Sequence, residues 1–377
     1  MSNKYWIGLR ESEIHYKKDF FTDYIVLLGK RKKDGLIQPL NQDLKKNLNH
    51  NNEKNDNILV KYESENINKI LKKDSNAEFM FYNQIIALKY FSETSNIICL
   101  NNKKLIYELD NKLYTREYYK DKVSSLQHYI LSGKEINIKN LNKLFNDKAE
   151  YIVQSEHGSG GSGTLVFKDD CQRNFIDNEA NYIVTKYCKK AISTNVHLII
   201  TKNKVIIFPA SIQIIENQYN HLIYKGCDFI GYNQLPNELK IKQDEYAKII
   251  GEDLRKRGYL GICGIDFIID NNKIYFMEIN SRFQTSSTIL NKSLIENHQE
   301  SLQEMNYKAF KNLKINYKPI TVNYGSYIFY YDEENANTPT IDPIEVLDES
   351  DCKLHIEKLS YWKTNVYDKS IYNNKNS

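Results

Sequence analysis

Between two apolar segments the chain reads His157-Gly158-Ser159-Gly160-Gly161-Ser162-Gly163-Thr164, with four of its fifteen glycines inside six residues. Tyr151-Ile152-Val153-Gln154 before it reads as a buried strand, and Leu165-Val166-Phe167 after it as the returning one. The run therefore imposes a turn between paired strands. Glycine takes positive φ freely and lets backbone N–H groups approach an anion, so such a turn can fold over a phosphate. A long flexible hairpin accounts for it equally well, and the run alone leaves both readings open.

At 377 residues the chain exceeds one ordinary core, and two or three domains are expected. Residues 1 to about 105 read as an α/β unit. Tyr24–Gly29 is a short apolar run, Ile58-Leu59-Val60 a further strand candidate, and residues 41–57 an Asn/Lys-rich loop or insertion. Phe79-Met80-Phe81 and Ile97–Leu100 flank a helical pattern at Gln84–Phe91, the spacing of a parallel sheet. Residues 111–131 have helical composition ending near Gly133. Asn181–Tyr187 reads as a strand, and His197–Thr201 with Lys204–Phe208 as a hairpin. Gln243–Arg257 reads as an amphipathic helix with Tyr246, Ile249, Ile250 and Leu254 on one face, closed by Gly258. Two more strands, Gly264–Ile269 and Ile274–Ile279, are joined by a turn at Asp270–Lys273, and Tyr324–Tyr330 follows. Beyond residue 330 a small appendage broken by Pro339 and Pro343 is expected, with Asn373–Ser377 fraying.

Composition narrows the class. Hydrophobic residues make up 41% and charged residues 27%, with a net charge of +4, which points to neither nucleic acid nor membrane as the main partner. No signal-peptide core and no stretch near the roughly 20 apolar residues of a bilayer span is found, so a cytoplasmic protein is expected. Six scattered cysteines without a CxxC pair imply reduced thiols, most of them buried as small apolar residues.

The segment Gly264–Arg282 carries a pattern that packing does not demand. Asp266 lies between Ile265 and Phe267, and Glu278 between Met277 and Ile279, with Asn280 and Arg282 following at two-residue intervals. Strand side chains alternate faces, so Glu278, Asn280 and Arg282 point one way and Asp266 on the partner strand can face them. Hard oxygen ligands suit Mg²⁺ held together with phosphates, and arginine suits bidentate phosphate contact. A solvent-facing polar row is the alternative reading for any one of these residues.

In order, Leu109-Asp110-Asn111-Lys112, the loop Gly158–Thr164, Thr185-Lys186-Tyr187-Cys188, Gly264-Ile265-Asp266-Phe267 and Glu278-Ile279-Asn280-Ser281-Arg282 make the chain resemble the ATP-grasp enzymes over roughly residues 75–300. It is most similar to the branch with biotin carboxylase and the carboxylate–amine ligases. The resemblance implies an α/β (α+β) ATP-grasp fold: a Rossmann-like preATP-grasp domain at 1–110, a helical linker, an ATP-binding domain at 111–330 with a lid subdomain at 151–208, and an appendage at 331–377. It implies ATP and Mg²⁺, with Mn²⁺ as an alternative. Lys112 would reach the phosphates, and Gly158, Ser159, Gly160, Gly161, Ser162, Gly163 and Thr164 would cover them. Lys186, Tyr187 and Cys188 would hold adenine through their backbone. Asp266, Glu278 and Asn280 would bind the metal, with Arg282 on the transferred phosphate.

Two departures qualify this. Gln154 stands where the family usually has a phosphate-contacting lysine. Ser286 stands where biotin carboxylase has a glutamate base, which argues against a carboxylase. Ser211–Ile215, Lys225–Asp228, Ser286 and Ser287 would line the substrate end. The resemblance implies a ligase joining a small-molecule carboxylate and an amine through an acyl phosphate. A thioester with a carrier protein, and a regulator that binds nucleotide without turnover, stay open, as does a homodimer.

Overall fold

The computed structural model describes residues 2–10, 20–28, 53–91, 93–158, 160–161, 163–330, 357–358 and 362–367. Most of the 41–57 tract, Gly29, Ser159, Ser162, Pro339, Pro343, Cys352 and the 373–377 tail lie outside these.

The N-terminal unit is a parallel sheet. Strands β1 (Lys4–Arg10), β2 (Asp23–Leu28), β3 (Glu78–Phe81) and β4 (Ile97–Ile98) run in the order β2-β1-β3-β4. Both faces are buried, as a parallel sheet requires. Tyr5, Ile7, Phe79 and Phe81 pack with Ile67 and Ile70 on one side, whereas Trp6 and Met80 pack with Phe283 and Leu290 on the other. The expected strand at Ile58–Val60 is instead part of the Glu53–Leu71 helix. The three apolar residues belong to a longer pattern: Glu63, Asn66, Ile67 and Ile70 are buried at helical spacing.

Helices Lys103–Asp110 and Lys112–Tyr119 meet at Asn111, which caps the second by accepting from Tyr114 N–H. The helix expected over 111–131 ends at Tyr119. His128–Ser132 is strand β5, because its β-prone sequence pairs along Asn181–Thr185.

Strands β6 (Tyr151–Ser155), β7 (Thr164–Phe167), β8 (Asn181–Lys186), β9 (Ile192–Ile200), β10 (Val205–Ile207), β11 (Ser211–Gln218), β12 (His221–Asp228), β13 (Gly261–Asp270) and β14 (Lys273–Asn280) continue the chain. With β5 they form the path β14-β13-β9-β11-β12-β7-β6-β8-β5, with β10 on β9. β15 (Gly325–Tyr330) pairs with β12 and with β17 (Trp362–Tyr367), which pairs with β16 (Glu357–Lys358). The path narrows where β12 meets β7 at the single register pair His221 and Leu165. Strands on both sides of this narrow point line a common cleft.

The helix expected at 243–257 spans Asn237–Lys256. Gln243, Ala247, Ile250 and Leu254 form its buried stripe, while Ile249 is 44% exposed, one position off the expected face. The described cysteines are free, but only Cys227 and Cys263 are buried. Cys99 and Cys188 are half-buried and Cys171 is exposed, so burial is less general than expected. No helix among the described residues is long and apolar enough to cross a membrane.

Candidate nucleotide and metal site

The acidic pair is made by a hairpin. Asn271 and Asn272, both at positive φ, turn β13 into β14 and set Asp266 directly opposite Glu278, with Gly264 opposite Asn280. Asp266, Glu278, Asn280 and Arg282 all line one cleft of about 320 Å³, a volume suited to a small ligand.

The two carboxylates have different surroundings. Asp266 receives hydrogen bonds from the amides of Asn195, Asn280 (3.1 Å) and Gln284 (3.4 Å). Burial, and then the Glu278 charge, push its carboxyl up to about 7, against the lowering effect of its amide partners. Glu278 is met instead by cations. Lys112 Nζ stands 3.3 Å from its Oε2, and the charge of Arg116 lies behind it. On the Asp266 side the charge is thus met by neutral donors alone, an arrangement that a divalent cation would relieve. Among the described residues no group of three or more His, Cys, Asp or Glu could hold a metal. Asp266, Glu278 and Asn280 would therefore share it with ligand oxygens. Asn280 donates to Asp266 while its Oδ1 accepts from Arg282 Nη2 at 3.1 Å, so metal ligation requires its amide to turn.

The described glycines of the run are held by neighbouring elements. Gly161, at φ +94°, passes so close to β12 that a Cβ would stand 1.6 Å from the Leu222 carbonyl oxygen. Tyr224 N–H donates to the Gly160 carbonyl at 3.4 Å. On the other side Lys112 Nζ donates to the Gly158 carbonyl at 2.7 Å and Lys112 N–H to the Glu156 carbonyl at 3.0 Å. Asn111 donates to the Glu156 carboxylate, and His157 pairs with Asp110 at 2.9 Å. Gly160, Gly161 and Thr164 line the cleft, whereas Gly158 and Gly163 do not. Lys112, only 6% exposed, lies behind Glu278 and not on the cleft surface.

Gln154 lines the cleft and its amide donates to Thr164 Oγ1 at 3.5 Å. Lys186, Tyr187 and Cys188 line it together with Leu126, Ile152 and Ile268, apolar walls suited to a flat base. Tyr187 N–H already donates to the Glu150 carbonyl at 2.9 Å, so this hinge has less free backbone than the sequence suggested.

Gln213, Ile215 and Ser286 line the cleft as expected. Lys225–Asp228 do not: Gly226–Asp228 pair with β15, and Asp228 caps the next helix. Leu222 and Tyr224 take that role. Ser287 turns away to His197 Nε2 at 2.8 Å. Burial pulls His197 down to about 3, so it is neutral at ordinary pH.

Sequence reasoning missed Arg116, Asn195 and Gln284. Gln284 reaches Asp266 by crossing Gly264, where a Cβ would stand 1.6 Å from its amide oxygen. The alternation of Asn195 with His197 on one strand could have been noticed. Arg116, one helical turn after Lys112, could have been found from that spacing.

Residues 120–286 match the family model described as ATP-grasp domain. An uncharacterized protein of Methanocaldococcus jannaschii, MJ0776, is 30% identical over 220 residues, covering 57% of this chain and 50% of its own. The chain thus spans about half the length of that relative. An N5-carboxyaminoimidazole ribonucleotide synthetase solved with ADP superposes with a TM-score of 0.60 at 13% identity, covering 100% of this chain and 95% of that one. The corresponding synthase from Aspergillus clavatus, in complex with ADP and 5-aminoimidazole ribonucleotide, gives 0.62 at 14%, covering 100% and 96%. The biotin carboxylase domain dimer of the Hydrogenobacter thermophilus 2-oxoglutarate carboxylase, with MgADP and bicarbonate, gives 0.64 at 12%, covering 97% and 86%. These likenesses are of fold. Together with the family-model match over residues 120–286, they show an ATP-grasp fold.

Proposed function

We propose that the protein is an ATP-dependent ligase that joins a carboxylate to an amine through an acyl phosphate. The carrying observation is that Asp266 and Glu278 oppose one another on the cleft face, beside Asn280 and Arg282 and beneath the glycine cover. Solved relatives that hold ADP, one of them with magnesium, support the nucleotide and metal reading.

Asp266, Glu278 and Asn280 would hold magnesium, which when bound would offset the negative charge of the phosphates. Arg282 would meet the transferred phosphoryl group, and Lys112 would leave Glu278 for the nucleotide phosphates. The carboxylate oxygen of the substrate attacks the γ-phosphorus and ADP departs. The amine then attacks the acyl carbon and phosphate departs, leaving an amide. Gly160 and Gly161 exclude water that would hydrolyse the acyl phosphate. Amino acids or small peptides are the proposed substrates. Ser286 is buried and donates to Asn195 at 3.3 Å, which supports a site without the carboxylase base.

The test is phosphate release, with mass spectrometry of products, over pools of amino acids and peptides. The proposal expects turnover that needs both a carboxylate and an amine, and a condensed product lighter by one water. Tight ATP binding with no turnover across the panel would favour a regulator, to which the neutral Gln154 lends some weight. Thioester formation on a carrier thiol would redirect the acceptor.

A further inference from the structure

A buried arginine stands behind the acidic edge, and the proposed chemistry leaves it unused. Arg116 is 1% exposed and lies one turn after Lys112 on the same helix face, which packs on β14. Its Nε donates to the carbonyl of Met277, the residue before Glu278, at 3.1 Å. One of its terminal nitrogens, Nη1, is buried without a hydrogen-bond partner. Burial alone would discourage such a charge, but the Glu278 carboxylate offsets part of that cost. The guanidinium, pulled down to about 10, remains charged at neutral pH.

Lys112 has two competing tasks. Its ammonium is held by Glu278 at 3.3 Å and by the Gly158 carbonyl at 2.7 Å. To serve a phosphate it must loosen its hold on a half-buried carboxylate, which would then lack a counter-charge until a metal arrived. Arg116 removes that obstacle. Its stem is packed, its Nε is anchored on the backbone, and its planar head cannot follow the ligand.

We propose that Arg116 is a positioning residue: it is the standing counter-charge of Glu278, and by holding that carboxylate it releases Lys112 to the nucleotide. The inference rests on the ATP-site reading above and assigns a division of labour to two cations one helical turn apart. It predicts energetic coupling between Arg116 and Glu278 that is visible in nucleotide binding without metal.

The experiment is calorimetric titration of the full chain with ATP in excess EDTA, for wild type, Arg116→Met, Arg116→Lys, Glu278→Gln and the Arg116→Met/Glu278→Gln double variant. Arg116→Met should weaken ATP about tenfold, because Lys112 becomes the sole counter-charge of Glu278. Arg116→Lys should recover most of that loss. In the Glu278→Gln background, Arg116→Met should change affinity less than about twofold, since no carboxylate then retains Lys112. Equal weakening in both backgrounds, or no weakening in either, would overturn the proposal and leave Arg116 a packing residue. If Arg116→Met does not fold, the comparison is made with Arg116→Lys, which should show a smaller loss that likewise vanishes with Glu278→Gln. Wild type that binds no ATP either in EDTA or with added Mg²⁺ would instead refute the nucleotide site itself.

Discussion

Asp266 and Glu278 are adjacent carboxylates that the molecule treats differently. Glu278 has cations behind it, while Asp266 has amides around it. Glu278→Gln removes a ligand charge at nearly constant volume. Its turnover should fall about 100-fold or more while the circular dichroism spectrum is unchanged. Asp266 makes a pH prediction. Its folded carboxyl is raised to about 7 from an ordinary value of 3.8, so between these pH values the folded state binds a proton that the unfolded chain does not. Metal-free stability from this group is therefore greatest below about pH 4, declines as pH rises, and is lost above about pH 7. Asp266→Asn, without metal, should melt higher than wild type at pH 8 and lose that advantage near pH 4. Scanning calorimetry in EDTA checks it, and an unchanged melting point at pH 8 would count against the strained carboxylate. At Gln154 an added positive charge would face the proposed phosphates, so Gln154→Lys should tighten ATP in a calorimetric titration.

Among the elements, the described glycines of the cover bridge two neighbours. The cover is tied to β12 through Gly160 and Tyr224, and to the Lys112–Tyr119 helix through Gly158 and Lys112. Gly161→Ala would drive a methyl into the Leu222 carbonyl and strain a positive φ, at a cost of about 1–3 kcal/mol in the seated loop. Catalytic turnover should fall more than thermal stability does, because the loop can lift off β12 without unfolding the strands. Equal ATP turnover in this variant would show that the seated loop is not needed. The β13–β14 hairpin was legible in the sequence because alternation and an Asn-Asn turn specify one register, and with it one face for both carboxylates. The run Ile58-Leu59-Val60 misled because three apolar residues fit either period, and only the later spacing of Ile67 and Ile70 selects a helix. His128–Ser132 misled for the opposite reason: its strand exists through pairing with β8, a partner some fifty residues away.

For the whole molecule, the site depends on distant strands of one sheet path being brought to a common cleft. The glycine run and the acidic hairpin are a hundred residues apart in sequence, yet both line the same cleft. Sequence motifs picked out residues that share this cleft, but not their depth. Nothing in Leu109–Lys112 says that Lys112 is buried behind Glu278, because that follows from how its helix packs on β14. Nor do local residues reveal that Gln284 crosses Gly264 to reach Asp266. The N-terminal sheet joins this architecture through Trp6, whose ring meets Phe283 at 4.9 Å beside Arg282.

The most direct measurement is a crystal structure of the protein with ADP and Mn²⁺, recorded at a wavelength where manganese scatters anomalously. The account predicts an anomalous peak in direct coordination with carboxylate oxygens of Asp266 and Glu278, and ADP phosphates between that peak and Gly160–Gly161. Nucleotide bound with the manganese elsewhere, or with the two carboxylates turned to opposite faces of β13 and β14, would contradict it.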